Sequence, residues 1–323
     1  MYNIFKNIDW NPRYPCMASI KRSIHLEILK ACRPSQWTKN LLVFSPVLFS
    51  FQLDARSWSA AVLAFVSFSL ISSAVYIFND VRDVSIDRAH PSKRFRPIAR
   101  GVIPIPLALL VAVCLTLTSL TLAATCIPAL FGVLLAYVFI QVLYCLWLKQ
   151  EPLLDVFCIA SGFLLRAIAG VVTAGLDFSP WFLLTVGLLA LFLAVEKRKA
   201  ELRLCKKTGL ITRPVLERYS LPLLLRLENL VSTSAFLSYS LWASGPVLNG
   251  ASTSWMLLSV PFVLVGIFRY QLISDPKEAE RRSLLGKGLT SEKPEEILLG
   301  DPGIKFILLG WLMTVAAVGT ISR

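Results

Sequence analysis

The densest chemistry in the chain is the run Asn79-Asp80-Val81-Arg82-Asp83-Val84-Ser85-Ile86-Asp87. On a continuous helix Asp80, Asp83 and Asp87 stand at i, i+3 and i+7, which puts all three carboxylates on one face. Like charges held that close repel one another, and such a face calls for a counter-cation. A hard divalent ion suits it. Magnesium takes oxygen ligands, keeps several waters, and is usually held by one or two carboxylates plus substrate phosphates. Asn79 offers a further neutral oxygen. The spacing predicts a metal site of Asn79, Asp80, Asp83 and Asp87, with the three aspartates as the catalytic groups on a diphosphate. The plain alternative is a solvated helix end. At the mouth of a membrane span that alternative weakens, because acids there oppose the local cationic bias.

A basic stretch follows at once, from Arg88 through Lys93-Arg94-Phe95-Arg96-Pro97-Ile98. Part of this charge is a topology signal. Carboxylates and cations set side by side also suit a metal–phosphate complex, with the metal on the inner oxygens and the cations on the outer ones. Lys93 and Arg96 are the candidates of choice, ahead of Arg94. His90 precedes a proline and reads as structural. Only two histidines exist, His25 and His90, which fits a reaction needing no strong general base.

The elements that must position these groups are membrane helices. The chain has 323 residues, 55% of them apolar and 16% charged, with a mean hydropathy of +0.65. A soluble domain usually carries about 25% charge, and disordered chains lack such apolar content. A polytopic membrane protein remains. A span needs about 20 mostly apolar residues, and nine candidates lie near 36–53, 57–78, 103–125, 127–148, 153–175, 180–196, 229–248, 252–272 and 303–321. Pro46 makes the first the weakest.

Net charge is +13. With the N-terminus inside, 30 of the 33 Lys and Arg residues fall in cytosolic segments or at the flanking helix ends, as the positive-inside rule requires. That placement explains the basic balance without nucleic acid. The outer connections are short and nearly uncharged, so the chemistry gathers on the cytosolic face. Residues 1–30 read as a cytosolic tail of little order, and Met17 is an alternative start. Residues 31–323 read as a single catalytic domain.

Three further groups stand out. Lys39 and Asn40, with Gln36, are spaced to face one cavity from the first span, and Lys39 is a candidate phosphate ligand. Trp37 reads as an interface aromatic. Arg166 lies 11 residues after Asp155, about 16 Å along a helix at ~1.5 Å per residue, near the bilayer centre. An intramembrane arginine faces a cavity or a partner, so Arg166 is either a substrate-phosphate ligand or half of a structural pair. Gly162, Gly170 and Gly175 read as close-packing positions. Seven cysteines are scattered without a metal or redox pattern. The acids of Pro294-Glu295-Glu296 read as caps of a short helix.

Asn-Asp-x-x-Asp-x-x-x-Asp after the second of nine spans resembles the first aspartate-rich motif of the UbiA superfamily of intramembrane prenyltransferases. That resemblance implies an all-α fold of about nine transmembrane helices around a central cavity, with Mg2+–diphosphate chemistry at its cytosolic mouth. A finer likeness, to the decaprenyl-phosphate phosphoribosyltransferase branch, is carried by Arg33-Pro34-Ser35-Gln36-Trp37-Thr38-Lys39-Asn40, Lys93 to Ile98, Ser161 to Gly170, Ser179 to Phe182, Lys197 to Glu201 and Pro294 to Asp301. The first 30 residues lie outside it, and 274–293 is longer and more charged than the branch leads one to expect.

Typical members carry a second aspartate motif after span 6. Here that loop reads Glu196-Lys197-Arg198-Lys199-Ala200-Glu201-Leu202-Arg203 and is mainly cationic. A donor with one more phosphate would favour cations there, with Lys197 and Arg198 as its ligands. The resemblance thus implies transfer of 5-phosphoribosyl from phosphoribosyl diphosphate to a polyprenyl phosphate in the cell membrane, feeding synthesis of a lipid-linked arabinose donor. Homo-oligomerisation is left open by the sequence. One rival is a prenyltransferase using prenyl diphosphate and an aromatic acceptor. A second is a transporter or lipid-binding scaffold, disfavoured because the acidic motif sits at one mouth rather than at the midplane.

Overall fold

The computed structural model describes residues 24–51, 54–89, 93–177, 179–208, 213–284, 297–298 and 300–321. Met17, most of the N-terminal tail, His90 and Pro294-Glu295-Glu296 lie outside the described residues.

Among the described residues the fold is all-helical, without a strand. A short helix α1 (Ile24–Ala31) precedes a 3-10 segment, Pro34–Phe44, and a five-residue helix α2 (Ser45–Phe49). The long helices follow: α3 (Ala55–Arg82), α5 (Ile105–Cys126), α6 (Pro128–Leu146), α7 (Leu154–Ala174), α8 (Pro180–Thr208), α9 (Leu221–Ala243), α10 (Val260–Ser274) and α12 (Pro302–Ile321). Short α4 (Val84–Ala89) and α11 (Pro276–Leu284) lie in the connections between long helices.

Seven described segments, rather than nine, are long and apolar enough to cross a membrane: α3, α5, α6, α7, α8, α10 with the turn before it, and α12. The expected first span, 36–53, is a 3-10 segment leading into α2. Pro46 sits at the start of α2, where its missing N–H costs nothing but the upstream helix cannot be regular. The expected span 229–248 is helix α9, shifted toward the N-terminus to Leu221–Ala243. Its first half carries Arg226, Glu228 and Asn229, and the Ser220 hydroxyl caps it by accepting from the Leu223 N–H at 3.3 Å.

Packing follows chain order: α3 lies against α5, α6 and α7, and neighbours then pair from α5 to α10, with α12 against α10. The Pro34–Phe44 segment packs on α3 and α7, where Val43 and Val47 are fully buried. Gly170 of α7 makes this possible. A Cβ there would stand 2.1 Å from the Val43 carbonyl oxygen and 2.9 Å from Pro46. Gly162 also sits close to its neighbours, 3.2 Å from Gln141 Nε2 by the same construction. Gly175 does something else: no atom lies within 4 Å, and its φ of +63° ends α7 in the left-handed conformation, a helix-capping role rather than a packing one.

Candidate active site

Helix α3 delivers Asn79 and Asp80 at its C-terminal end and then stops. Asp83 is its C-cap, with φ −95° and ψ 10°, and α4 begins at the next residue. The three aspartates therefore do not share one uninterrupted helical face, as the spacing predicted. The break sorts them. Asp80 and Asp87, both buried, converge on one nitrogen, Nη1 of Arg96, at 3.0 and 2.6 Å. Asp83 accepts instead from Lys149 Nζ at 2.6 Å, across the α6–α7 connection. Asn79 Oδ1 faces the Cys145 thiol at 3.5 Å.

Arg33 is the second cation on Asp80, through Nη2. It adopts φ 53° between α1 and the 3-10 segment, an uncommon conformation for a side-chain-bearing residue, and stacks 5.1 Å from the Tyr76 ring. Sequence reading did not select it. It opens the stretch Arg33 to Asn40, but nothing in its spacing links it to an aspartate 47 positions later.

Among the described residues no three His, Cys, Asp or Glu side chains gather into a metal-binding group. Magnesium needs fewer, since water and phosphate complete its shell. The meeting of Asp80 and Asp87 on a single guanidinium nitrogen marks a point where two carboxylates demand positive charge. Their all-oxygen donor set fits a hard divalent ion.

The other half of the site is the C-terminal part of α8. Its consecutive charges separate by face. Arg198 is fully buried and donates to Asp155 Oδ2 and to Glu201 Oε2, each at 2.5 Å. Tyr219 completes that cluster, donating to Asp155 Oδ1 at 2.6 Å and accepting from the Leu153 N–H at 2.7 Å. Burial and the bond to Asp155 push its phenol well above the ordinary tyrosine value. Lys199, also buried, bridges Glu196 and Glu228. The expected phosphate ligand Arg198 is thus engaged on two carboxylates as a brace between α7 and α8.

Lys197 faces the other way. With Lys39 and Thr38 it lines a cavity of about 370 Å³ whose walls are otherwise apolar, including Leu41, Leu42, Phe163 and Leu193. Two apolar cavities adjoin it. One, of about 330 Å³, shares Leu41 and Leu42; the other, of about 300 Å³, shares Leu193 and Leu298.

The structure thus brings Lys39 and Lys197 together, and Asp80, Asp87 and Arg96. Lys93 belongs between them: it feels Arg213, Arg96, Asp87 and Glu201. Burial, then the Arg213 and Arg96 guanidiniums, hold its ammonium below the usual lysine value.

Asn40 and Arg166 go elsewhere. Arg166, buried in the bundle, donates to Asn40 Oδ1 at 2.7 Å, to the Gly162 carbonyl at 2.6 Å and to the Tyr137 hydroxyl at 3.2 Å. The rings of Tyr137, Phe68 and Phe163 surround it. Asn40 passes the chain on to Ser69 Oγ at 3.0 Å. This cluster ties the first segment, α3, α6 and α7 together below the site, and neither residue lines the Lys39–Lys197 cavity. Trp37 anchors nearby through its indole N–H on Ser73 Oγ at 3.0 Å.

A model of the UbiA prenyltransferase family matches residues 43–288. The chain belongs to the UbiA prenyltransferase family. It is accordingly an integral membrane protein of an enzyme family. Decaprenyl-phosphate phosphoribosyltransferase of Mycobacterium tuberculosis H37Rv is 41% identical over 296 residues, covering 90% of this chain and 93% of that one. The enzyme of the same name from Corynebacterium glutamicum is 37% identical, covering 89% and 85%. Among solved structures, a UbiA homolog from Archaeoglobus fulgidus bound to GPP and Mg2+ matches with a TM-score of 0.67 at 22% identity, covering 91% of this chain and 99% of that one. At that identity the likeness speaks to the fold, and the helical architecture described above is that of the UbiA family.

Proposed function

We propose that this UbiA-family protein transfers a 5-phosphoribosyl group from phosphoribosyl diphosphate to a polyprenyl phosphate, releasing diphosphate. The observation that carries the reading is the asymmetry of the mouth. Asp80 and Asp87, which meet on one Arg96 nitrogen, are the carboxylates that would hold a metal on the α3–α4 side. On the α8 side the acids are buried against Arg198 and Lys199, and Lys197 and Lys39 face the cavity. One diphosphate and one further phosphate fit that division better than a second metal-bound diphosphate. The like-named relatives of about 40% identity support it.

Asp80 and Asp87, with Asp83 and Asn79 beside them, would hold Mg2+. When bound, the ion neutralises charge on the departing diphosphate. Arg96 and Arg33 pair with Asp80 and are the guanidiniums that would take up diphosphate oxygens. Lys39 holds the lipid phosphate at the rim, Lys197 beside it takes the donor's remaining phosphate, and the isoprenoid tail runs into the adjoining apolar cavities. A phosphate oxygen attacks ribose C1 as the bond from C1 to the diphosphate oxygen breaks. The bonding pair leaves on diphosphate, and C1 inverts. The nucleophile is ionised at neutral pH, so no base is needed.

The test is product formation by purified protein with labelled phosphoribosyl diphosphate, a polyprenyl phosphate and Mg2+, beside a reaction with prenyl diphosphate and 4-hydroxybenzoate. Label entering the lipid phase, and lost with chelator, is the expected result. Prenylated aromatic product alone would overturn the reading.

A further inference from the structure

One cation at the mouth belongs to no motif. Arg213 lies in the α8–α9 connection, just before Pro214. Among the described residues its guanidinium makes one long hydrogen bond, Nη1 to the Tyr144 hydroxyl at 3.4 Å. It also makes one loose ion pair, Nε to Glu201 Oε2 at 3.7 Å. Glu201 is itself committed to Arg198 at 2.5 Å. Five N–H donors on a planar fork therefore carry little local work, and the side chain is 29% exposed.

Its position is the informative part. Glu201 lies four residues after Lys197 on α8, so the two share a helix face, and Arg213 stands over that face. Arg213 also lies close enough to Lys93, on the α4–α5 connection, to act on its charge, as it does on Lys197. It is the one guanidinium common to both lysines' surroundings that is not engaged at hydrogen-bonding distance with a carboxylate. Arg96 is held by Asp80 and Asp87, and Arg198 by Asp155 and Glu201. Bringing like charges from two separate connections to one point is unfavourable unless an anion joins them.

We infer that Arg213, between Lys93 and Lys197, is the specificity-determining ligand of a phosphomonoester, and that this is the 5-phosphate of the sugar donor. Two phosphomonoesters are available to this protein, a sugar phosphate and a lipid phosphate. The sugar phosphate is favoured because Arg213 sits on the water-facing connection. The apolar-walled cavity is lined by Lys39 and Lys197, not by Arg213. A planar guanidinium gripping two phosphate oxygens distinguishes such a group from a hydroxyl. Arg213 would thereby separate phosphoribosyl donors from ribosyl ones. This inference rests on the phosphoribosyl reading above.

The experiment measures binding to detergent-purified full-length protein, independent of turnover. Three probes are used: ribose 5-phosphate, farnesyl phosphate, and inorganic diphosphate with Mg2+. In Arg213→Gln, affinity for ribose 5-phosphate is expected to fall at least tenfold, with the other two changed less than threefold. Arg213→Lys should recover part of the loss. A fall for farnesyl phosphate alone would assign Arg213 to the lipid. An equal fall for all three, or none for ribose 5-phosphate, would make it structural. Each of these results overturns the inference. If Arg213→Gln does not fold, as judged by its thermal transition, the same criteria apply to Arg213→Lys, for which a threefold selective loss is expected. Absence of phosphoribosyl transfer by the wild type, with selective ribose 5-phosphate binding intact, would instead sink the proposed reaction and leave the phosphate site standing.

Discussion

The two halves of the mouth use the same residue types to opposite ends. On the α3–α4 side, Arg96 is 26% exposed and its carboxylate partners converge on it from the end of long α3 and from short α4. On the α8 side, Arg198 and Asp155 are both fully buried and lie on two long packed helices. The first arrangement can admit a ligand at its water-facing guanidinium, provided a bound cation takes the place of Arg96 on the buried Asp80 and Asp87. The second cannot, because freeing either charge leaves the other unpaired away from water. Burial decides whether an ion pair is a site or a scaffold, and charge counting along the chain misses the distinction.

The largest expected effect tests the open half. Asp80→Asn should lower kcat/KM for magnesium-dependent transfer about 10²–10³-fold, the scale for removing a group that stabilises charge in a transition state, with the thermal transition kept. Unchanged turnover would break the assignment of that half.

The closed half should fail differently. Arg198→Met strands Asp155 and Glu201, and removing one partner of a buried pair costs about 3–5 kcal/mol. A lowered thermal transition and poor recovery from detergent are expected. Retained stability with selective loss of substrate binding would reverse the roles of the two regions.

Lys197→Met sharpens the contrast from the adjacent position. It should leave the thermal transition unchanged and raise KM for a phosphorylated substrate about tenfold, the value of one charge-assisted hydrogen bond of about 1.5 kcal/mol.

The smallest effect is a pH dependence. Lys93 is held below the ordinary lysine value by burial and by Arg213 and Arg96. Its charged form is disfavoured in the empty protein and favoured by a bound phosphate. Donor affinity is therefore highest below its pKa and declines as pH rises through it, earlier than for a solvated lysine. A rise in donor KM of a few-fold, beginning below the ordinary lysine value of about 10.4 and absent in Lys93→Met, is expected. An identical profile in the variant would remove Lys93 from the phosphate site.

Much of this was legible in the chain. Apolar runs located the helices, and the basic residues between them placed the chemistry on one side. The spacing from Asn79 to Asp87 marked out a candidate metal half, although the helix break at Asp83 divides the single face it predicted, and Lys39, Lys93, Arg96 and Lys197 were chosen for charge at span ends. Three things were not legible. The break of α3 at Asp83 redirects one aspartate to Lys149, and no residue there announces a helix end as a glycine or proline would. Arg198 and Lys197 are neighbours of the same charge, and only helix phase sends one inward. Arg213 and Arg33 reach the site from connections whose charge reads as a topology signal.

The sequence alone determined the solvent this protein folds in, most of the helices that cross it, and where along the chain acids and cations concentrate. Hydropathy and charge are local properties, and they act residue by residue. Which cations remain available to a ligand was decided only by tertiary structure. Asp155 and Arg198 are 43 residues apart, Arg166 and Asn40 are 126 apart, and each pair exists because packed helices set its distance and remove its water.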